Sequence, residues 1–201
     1  MKLLLLLLLS LNLIAHDEYS LRVAYGEASS KDIENILFFD SDRHPDNLTV
    51  LSLDCGYLLQ KDLFELPLDL YVKGGLSYFN EGDAPTTSSV YEGVLYVKIY
   101  YSVDFLDNRV RFGLGEGFSY TTEILWSERK EAIEENDEYS QLLNYVDLSI
   151  DFDLGKLVGY KVLENTYIGW TLRHRSGVFG LFNGVVDGGS NYNTISIEKN
   201  F

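Results

Sequence analysis

From Val146 to Leu154 the apolar residues Val146, Leu148, Ile150, Phe152 and Leu154 alternate with Asp147, Ser149, Asp151 and Asp153. Residues 91–105 repeat the pattern, with Tyr91, Leu95, Val97, Ile99, Tyr101, Val103 and Phe105 on one parity and Glu92, Lys98, Ser102 and Asp104 on the other. Successive side chains of a strand point to opposite faces, so the alternation predicts strands with one apolar and one polar face. Similar runs lie near 19–27, 48–60, 66–79, 108–122, 165–178 and 191–201, which makes eight predicted strands, most of them ten or more residues long. Strands of soluble domains usually run about 5–6 residues.

The connections fall at 28–47, 61–65, 80–90, 106–107, 123–143, 155–164 and 179–190, broadly long and short by turns. An outer-membrane barrel has short turns on the side of its termini and longer loops on the other, with about 9–11 residues in each tilted strand. The terminal Phe201 shares parity with Ile195 and Ile197, as the last aromatic residue of such barrels does. A soluble eight-stranded barrel gives the same alternation with its apolar face inside. The strand lengths and the loop asymmetry favour the membrane form. The expected fold is therefore all-β: an eight-stranded antiparallel transmembrane β-barrel over residues 16–201. Residues 33–40 are expected to extend the first hairpin outward. The acidic stretch 127–140 is expected to be a solvated loop with a helical turn or two.

Residues 1–15 carry Lys2, the leucine run Leu3–Leu9 and a closing Ala15, the pattern of a cleaved secretory signal peptide. The run is short for a spanning helix, which needs about 20 apolar residues. Composition then narrows the partners. With 16 Lys and Arg against 31 Asp and Glu the net charge is −15, which argues against nucleic acid as a partner. Hydrophobic residues at 46% and 15 tyrosines exclude a disordered acidic chain. The single cysteine, Cys55, excludes a disulfide framework and a multi-cysteine metal site, and no metal or other cofactor is expected.

Candidate chemistry gathers near the C-terminus. His174 and Ser176 continue the parity of Ile168, Trp170 and Leu172, which places them on the lipid-facing side near the outer end of the seventh strand. Their α-carbons lie about 7 Å apart on one strand face. Unsatisfied polar groups are costly against lipid, so a role is expected. A serine needs a base to become a nucleophile, and a histidine base needs a partner that fixes its tautomer. Asp187 is the nearest downstream acid that could supply it. The alternative is an interfacial pair that hydrogen-bonds lipid headgroups. Arg173 and Arg175 fall on the inner side and are expected to pair with Asp147, Asp151 and Asp153. Glu116 shares the outer parity of Phe112, Leu114 and Phe118, and a β-bulge is expected to turn it inward. Tyr120 and Trp126 are expected in the aromatic girdle, and His44 in a polar loop without a role.

The stretch Arg173-His174-Arg175-Ser176-Gly177, followed by Asn183 and Asp187, resembles the lipid A 3-O-deacylase family of eight-stranded outer-membrane barrels. The resemblance covers about 30 residues and departs from the family at two points: an Asp stands for Glu at Asp187, and Gly177 stands for an asparagine. It implies an esterase that removes an acyl chain from lipid A, with Ser176 as nucleophile, His174 as base and Asp187 holding the imidazole. Asn183 and the amide of Gly177 would then stabilise the oxyanion. Lipid A or lipopolysaccharide and the outer membrane are the implied partners. The competing class is a non-enzymatic barrel, structural or adhesive, that binds lipopolysaccharide or ions. A pore is disfavoured because side chains just fill an eight-stranded interior.

Overall fold

The structure, a computed structural model, describes residues 18–38, 40–85, 89–186 and 188–201. The predicted signal segment 1–15 lies outside these residues, as does Asp187. Eight strands form a closed antiparallel barrel in sequence order: β1 (Tyr19–Ser29), β2 (Thr49–Gln60), β3 (Leu68–Asn80), β4 (Val90–Phe105), β5 (Asn108–Thr121), β6 (Leu142–Asp153), β7 (Thr166–Ser176) and β8 (Gly189–Asn200). Valine, isoleucine and aromatic residues favour the pleated surface, and their period of two gives each strand an outer and an inner row. The turn between β4 and β5 is two residues, Leu106 and Asp107, both left-handed (φ 49° and 60°), the backbone that matches the twist of a tight hairpin.

The outer row is apolar. Tyr25, Leu51, Leu53, Leu76, Leu95, Val97, Phe112, Leu114, Phe118 and Ile195 are all exposed there. The inner row is charged and buried. Arg22 pairs with Asp54 and Asp147, Lys98 with Asp147, Lys73 with Glu198 at 2.8 Å, and Arg111 with Asp151 at 3.3 Å. Arg173 and Arg175 do point inward, but they pair with Glu92 (2.7 and 3.4 Å), and Arg175 also with Glu128 at 2.7 Å. Asp147 is already claimed by Arg22 and Lys98. Asp153 accepts from the amides of Lys156 and Asn165 at the opposite end of the barrel, out of reach of Arg175. An apolar exterior around a charged, filled interior is the reverse of a water-soluble barrel. This is a transmembrane β-barrel without an open lumen. No helix of the described residues is long and apolar enough to cross a membrane; the strands cross instead.

Both described chain ends meet at one rim, where Tyr19 and Phe201 exchange backbone hydrogen bonds of 3.0 and 2.9 Å. The long connections lie at the other rim. One hydrogen-bonded row can be followed around the wall: Tyr19, Tyr57, Val72, Val97, Glu116, Val146, His174, Asn191 and back to β1 at Ser29. The row returns ten residues further along β1, so it climbs from the terminal rim to the long-loop rim.

Two elements and several side chains at the long-loop rim differ from expectation. Residues 33–40 do not prolong a strand; Ile33–Leu37 forms a short helix, α1, whose Ile36 is buried. Residues 126–135 form a ten-residue helix, α2 (Trp126–Glu135), ended by Asn136 in the left-handed conformation. The helix has no cap of its own; Glu81 from the β3–β4 loop accepts from the Trp126 amide at 2.6 Å instead. Glu128 dips into the barrel mouth, buried against Arg175 and Ser190, and is not solvated as expected. Trp126 does not join a lipid girdle. Its indole donates to Asp46 at 2.7 Å, and its ring packs on a plug of Ala28, Leu48, Val50, Phe79, Leu125 and Tyr192 that closes this end of the lumen. His44, expected to be idle, is buried there, and its Nδ1 accepts from the Asp46 amide.

Candidate functional site on the lipid-facing wall

On β7 the burial alternates as the pattern requires. Arg173 and Arg175 are buried inside, while His174 and Ser176 are partly exposed on the outer wall, the last two outer positions before the long-loop rim. His174 sits opposite Val146 on β6 and Asn191 on β8; Ser176 sits opposite Asn144 and Gly189.

The expected imidazole partner, Asp187, lies outside the described residues. Among those described, Asn191 stands beside the ring, its Oδ1 2.8 Å from His174 Nδ1. Asn191 Nδ2 donates to the carbonyl of Lys31 at 3.1 Å, and a carbonyl can only accept. The amide oxygen therefore faces the ring, Nδ1 carries the hydrogen, and Nε2 is the unprotonated nitrogen. An Asn in this role has a precedent in Cys-His-Asn sites. The register makes this contact, and the sequence carries its signal: Asn191 and Asn193 continue the outer parity of Ile195 and Ile197.

No hydrogen bond joins Ser176 to His174 among the described residues; catalytic hydrogen bonds are often long without substrate. Asn183 lies in the β7–β8 loop, where its Nδ2 donates to Ser140 Oγ at 2.8 Å and to the Leu142 carbonyl at 3.2 Å. It ties two loops together and makes no hydrogen bond to His174 or Ser176. Gly177 has a packing reason to be glycine, since a Cβ there would collide with the Val185 carbonyl. A different asparagine lies beside the serine. Asn144 is the cross-strand neighbour of Ser176, on the outer parity of β6 yet 94% shielded (6% exposed). Side chains directly opposite on one sheet face have Cβ atoms about 4.5–5.5 Å apart. Phe182 of the β7–β8 loop packs at a tilt against Phe118 next to it, with ring centroids 6.0 Å apart, and adds apolar surface to this patch.

Glu116 belongs to the same climbing row, two strands from His174. The ladders on both sides of β5 are regular through Glu116, so no bulge turns it inward, and its carboxylate is exposed on the outer wall. No cluster of metal-ligating side chains occurs among the described residues.

Fold and wall together define a class, the small eight-stranded transmembrane barrels with a polar patch at one rim. No family profile matches the chain, and no curated protein sequence matches it. Solved structures do. The outer membrane enzyme PagL superposes with a TM-score of 0.57 at 11% identity, covering 90% of this chain and 99% of its own. Neisserial surface protein A superposes with a TM-score of 0.51 at 12% identity, covering 92% and 98%. Identities this low carry a shared outer-membrane barrel fold and nothing finer: one neighbour is an enzyme, the other a surface protein.

Proposed function

We propose that the chain is an esterase of the bacterial outer membrane that hydrolyses an ester-linked acyl chain of lipid A. The carrying observation is the Asn191–His174 pair beside Ser176 on the lipid-facing wall, which fixes the tautomer whose Nε2 can act as a base. The local resemblance of residues 173–187 to the lipid A 3-O-deacylases supports the same reading, as does the barrel shared with an outer membrane enzyme.

In the proposed reaction His174 Nε2 takes the Ser176 proton as Oγ attacks the ester carbonyl. The tetrahedral intermediate collapses to an acyl-serine, and the sugar hydroxyl leaves with the proton from His174. Water, deprotonated by the same nitrogen, then releases the fatty acid. Asn191 orients the ring. Asp187, the acid that the resemblance offers, would add charge to stabilise the imidazolium. The resemblance gives the oxyanion to Asn183 and Gly177; the cross-strand position of Asn144 makes its amide the better-placed donor, since both hydrogens of Asn183 are engaged elsewhere.

The test is mass spectrometry of lipid A from cells with and without the protein. Loss of one acyl chain with the wild type, and none with Ser176→Ala, is expected. An unchanged pattern at high expression would instead assign the chain to the non-enzymatic surface barrels, for which the closed lumen and acidic rim are equally suited.

A further inference from the structure

The β1–β2 loop does not stand up from the rim. It folds down over the outside of the barrel and is pinned there by two outer-face amides: Asn191 Nδ2 donates to the Lys31 carbonyl at 3.1 Å, and Asn193 Nδ2 to Ser41 Oγ at 2.8 Å. Arg43 bridges to Ser29 on β1 and holds Glu27 at 2.9 Å. Between this strap and the wall a crevice of about 350 Å³ remains. That volume lies in the range of small-molecule sites.

The crevice has two unlike sides. Its floor is the apolar outer wall at Tyr25, Trp170 and Ile195, and its roof is the polar strap at Ser41, Asp42 and Arg43. The Trp170 indole is held in place by donating to Asn193 Oδ1 at 3.1 Å. Tyr25 and Ile195 are 56% and 60% exposed, so the floor runs out into the lipid-facing band. Leu172, the fully buried outer-face residue between Trp170 and His174 on β7, and His174 itself are not among its lining residues. A slot that opens onto hydrocarbon at one end and meets hydroxyl, carboxylate and guanidinium groups at the other matches the acyl-to-headgroup transition of a lipid.

We propose that this crevice holds one acyl chain of a lipid from the leaflet at the long-loop rim, with the lipid's polar part against Ser41, Asp42 and Arg43. The site rests on the fold and the strap, not on the esterase reading, and its occupant is held rather than cleaved.

The test is native mass spectrometry of the full chain in maltoside detergent, titrated with dimyristoyl phosphatidylcholine. One saturable lipid per barrel is expected for the wild type and for Ser176→Ala, which separates this site from the proposed chemistry. Ile195→Trp, which fills the floor, should weaken that binding at least tenfold. Leu114→Trp, on the wall away from the crevice, should not change it, and heat-modifiable gel migration shows that both variants fold. Lipid that adds without saturation, or that is lost equally from Ile195→Trp and Leu114→Trp, would show an ordinary lipid annulus and overturn the proposal.

Discussion

The inner and outer rows of the barrel carry polar groups under opposite rules. Inside, charged side chains answer one another: Asp147 alone meets Arg22, Lys98 and the Tyr145 hydroxyl. Outside, polar residues are few and gather toward the long-loop rim, where His174 meets Asn191 and Ser176 lies opposite Asn144. A buried charge with partners explains itself as packing, because removing one member strands the rest. A histidine and a serine on the lipid-facing wall are not demanded by any charge inside the barrel. Lumen ion pairs are therefore weak evidence of function, however dense, and the sparse outer wall is where chemistry should be sought.

The largest expected effect breaks the outer side alone. Ser176→Ala should lower deacylation at least about 10³-fold, since a nucleophile acting with its base cannot be replaced by binding alone. Its folding should be unchanged on a heat-modifiability gel. A folded Ser176→Ala protein that still works at the wild-type rate refutes the site. The inner side should behave in the reverse way. Lys98→Ala leaves Asp147 with one cation fewer in a sealed interior and should cost about 3–5 kcal/mol in urea unfolding, with residual activity proportional to folded protein. Equal stability of Lys98→Ala and wild type would mean that the lumen pairs are dispensable.

Smaller effects sharpen the contrast. Asn191→Ala frees the imidazole without touching the serine and should reduce kcat by roughly 10²-fold, while Asn191→Asp should retain activity. Asp187→Asn, read beside them, decides whether the acid adds to the amide: if it costs more than Asn191→Ala, orientation comes from the loop. Glu116→Leu removes an outer carboxylate and should raise stability by about 1 kcal/mol or less; a clear loss would show that the carboxylate has a partner in the membrane.

The smallest expected effect is one of pH. Burial raises the Glu81 and Glu131 carboxyls at the long-loop rim to about 7, although backbone amides of Trp126 and Gly189 pull the other way. A carboxyl raised in the folded state stabilises it most below its unfolded pKa of about 4.5, and that contribution is lost as pH rises through about 7. The docking of α2 should thus weaken as pH rises from 4.5 to about 7, the span between the ordinary and the raised pKa values. In a Trp170→Phe protein, Trp126 emission should shift to the red over that range, and Glu81→Gln should flatten the change. A flat wild-type profile would remove Glu81 from this role.

The strands and their facing were legible because a period of two is a local property, written into each segment separately. So was the outward placement of His174 and Ser176, which follows from Trp170 and Leu172 on the same strand. What was not legible depends on elements far apart in sequence. Glu128 looks solvated among its acidic neighbours and is buried only because Arg175 lies across the mouth. Arg173 finds Glu92, 81 residues away, rather than an aspartate of the adjacent strand. The bulge expected at Glu116 assumed that a carboxylate would not stay outside, and the unbroken ladder shows that it does. Asn191 shares the outer parity of Ile195 and Ile197, but its place opposite His174 comes only from the β7–β8 register.

The ten-residue climb of the hydrogen-bonded row makes position a shared property of the whole ring. Glu116 and His174 are neighbours but one in that row, yet the slope sets Glu116 at mid-height and His174 close to the rim. Shortening any strand by two residues would keep every side chain on its own face and still reset the pitch of the spiral. The girth of the cylinder, and with it the fit of the ion pairs inside, would change together with the altitude of His174 in the bilayer. Eight separate alignments thus act as one gauge that fixes how deep in the lipid the serine and histidine sit.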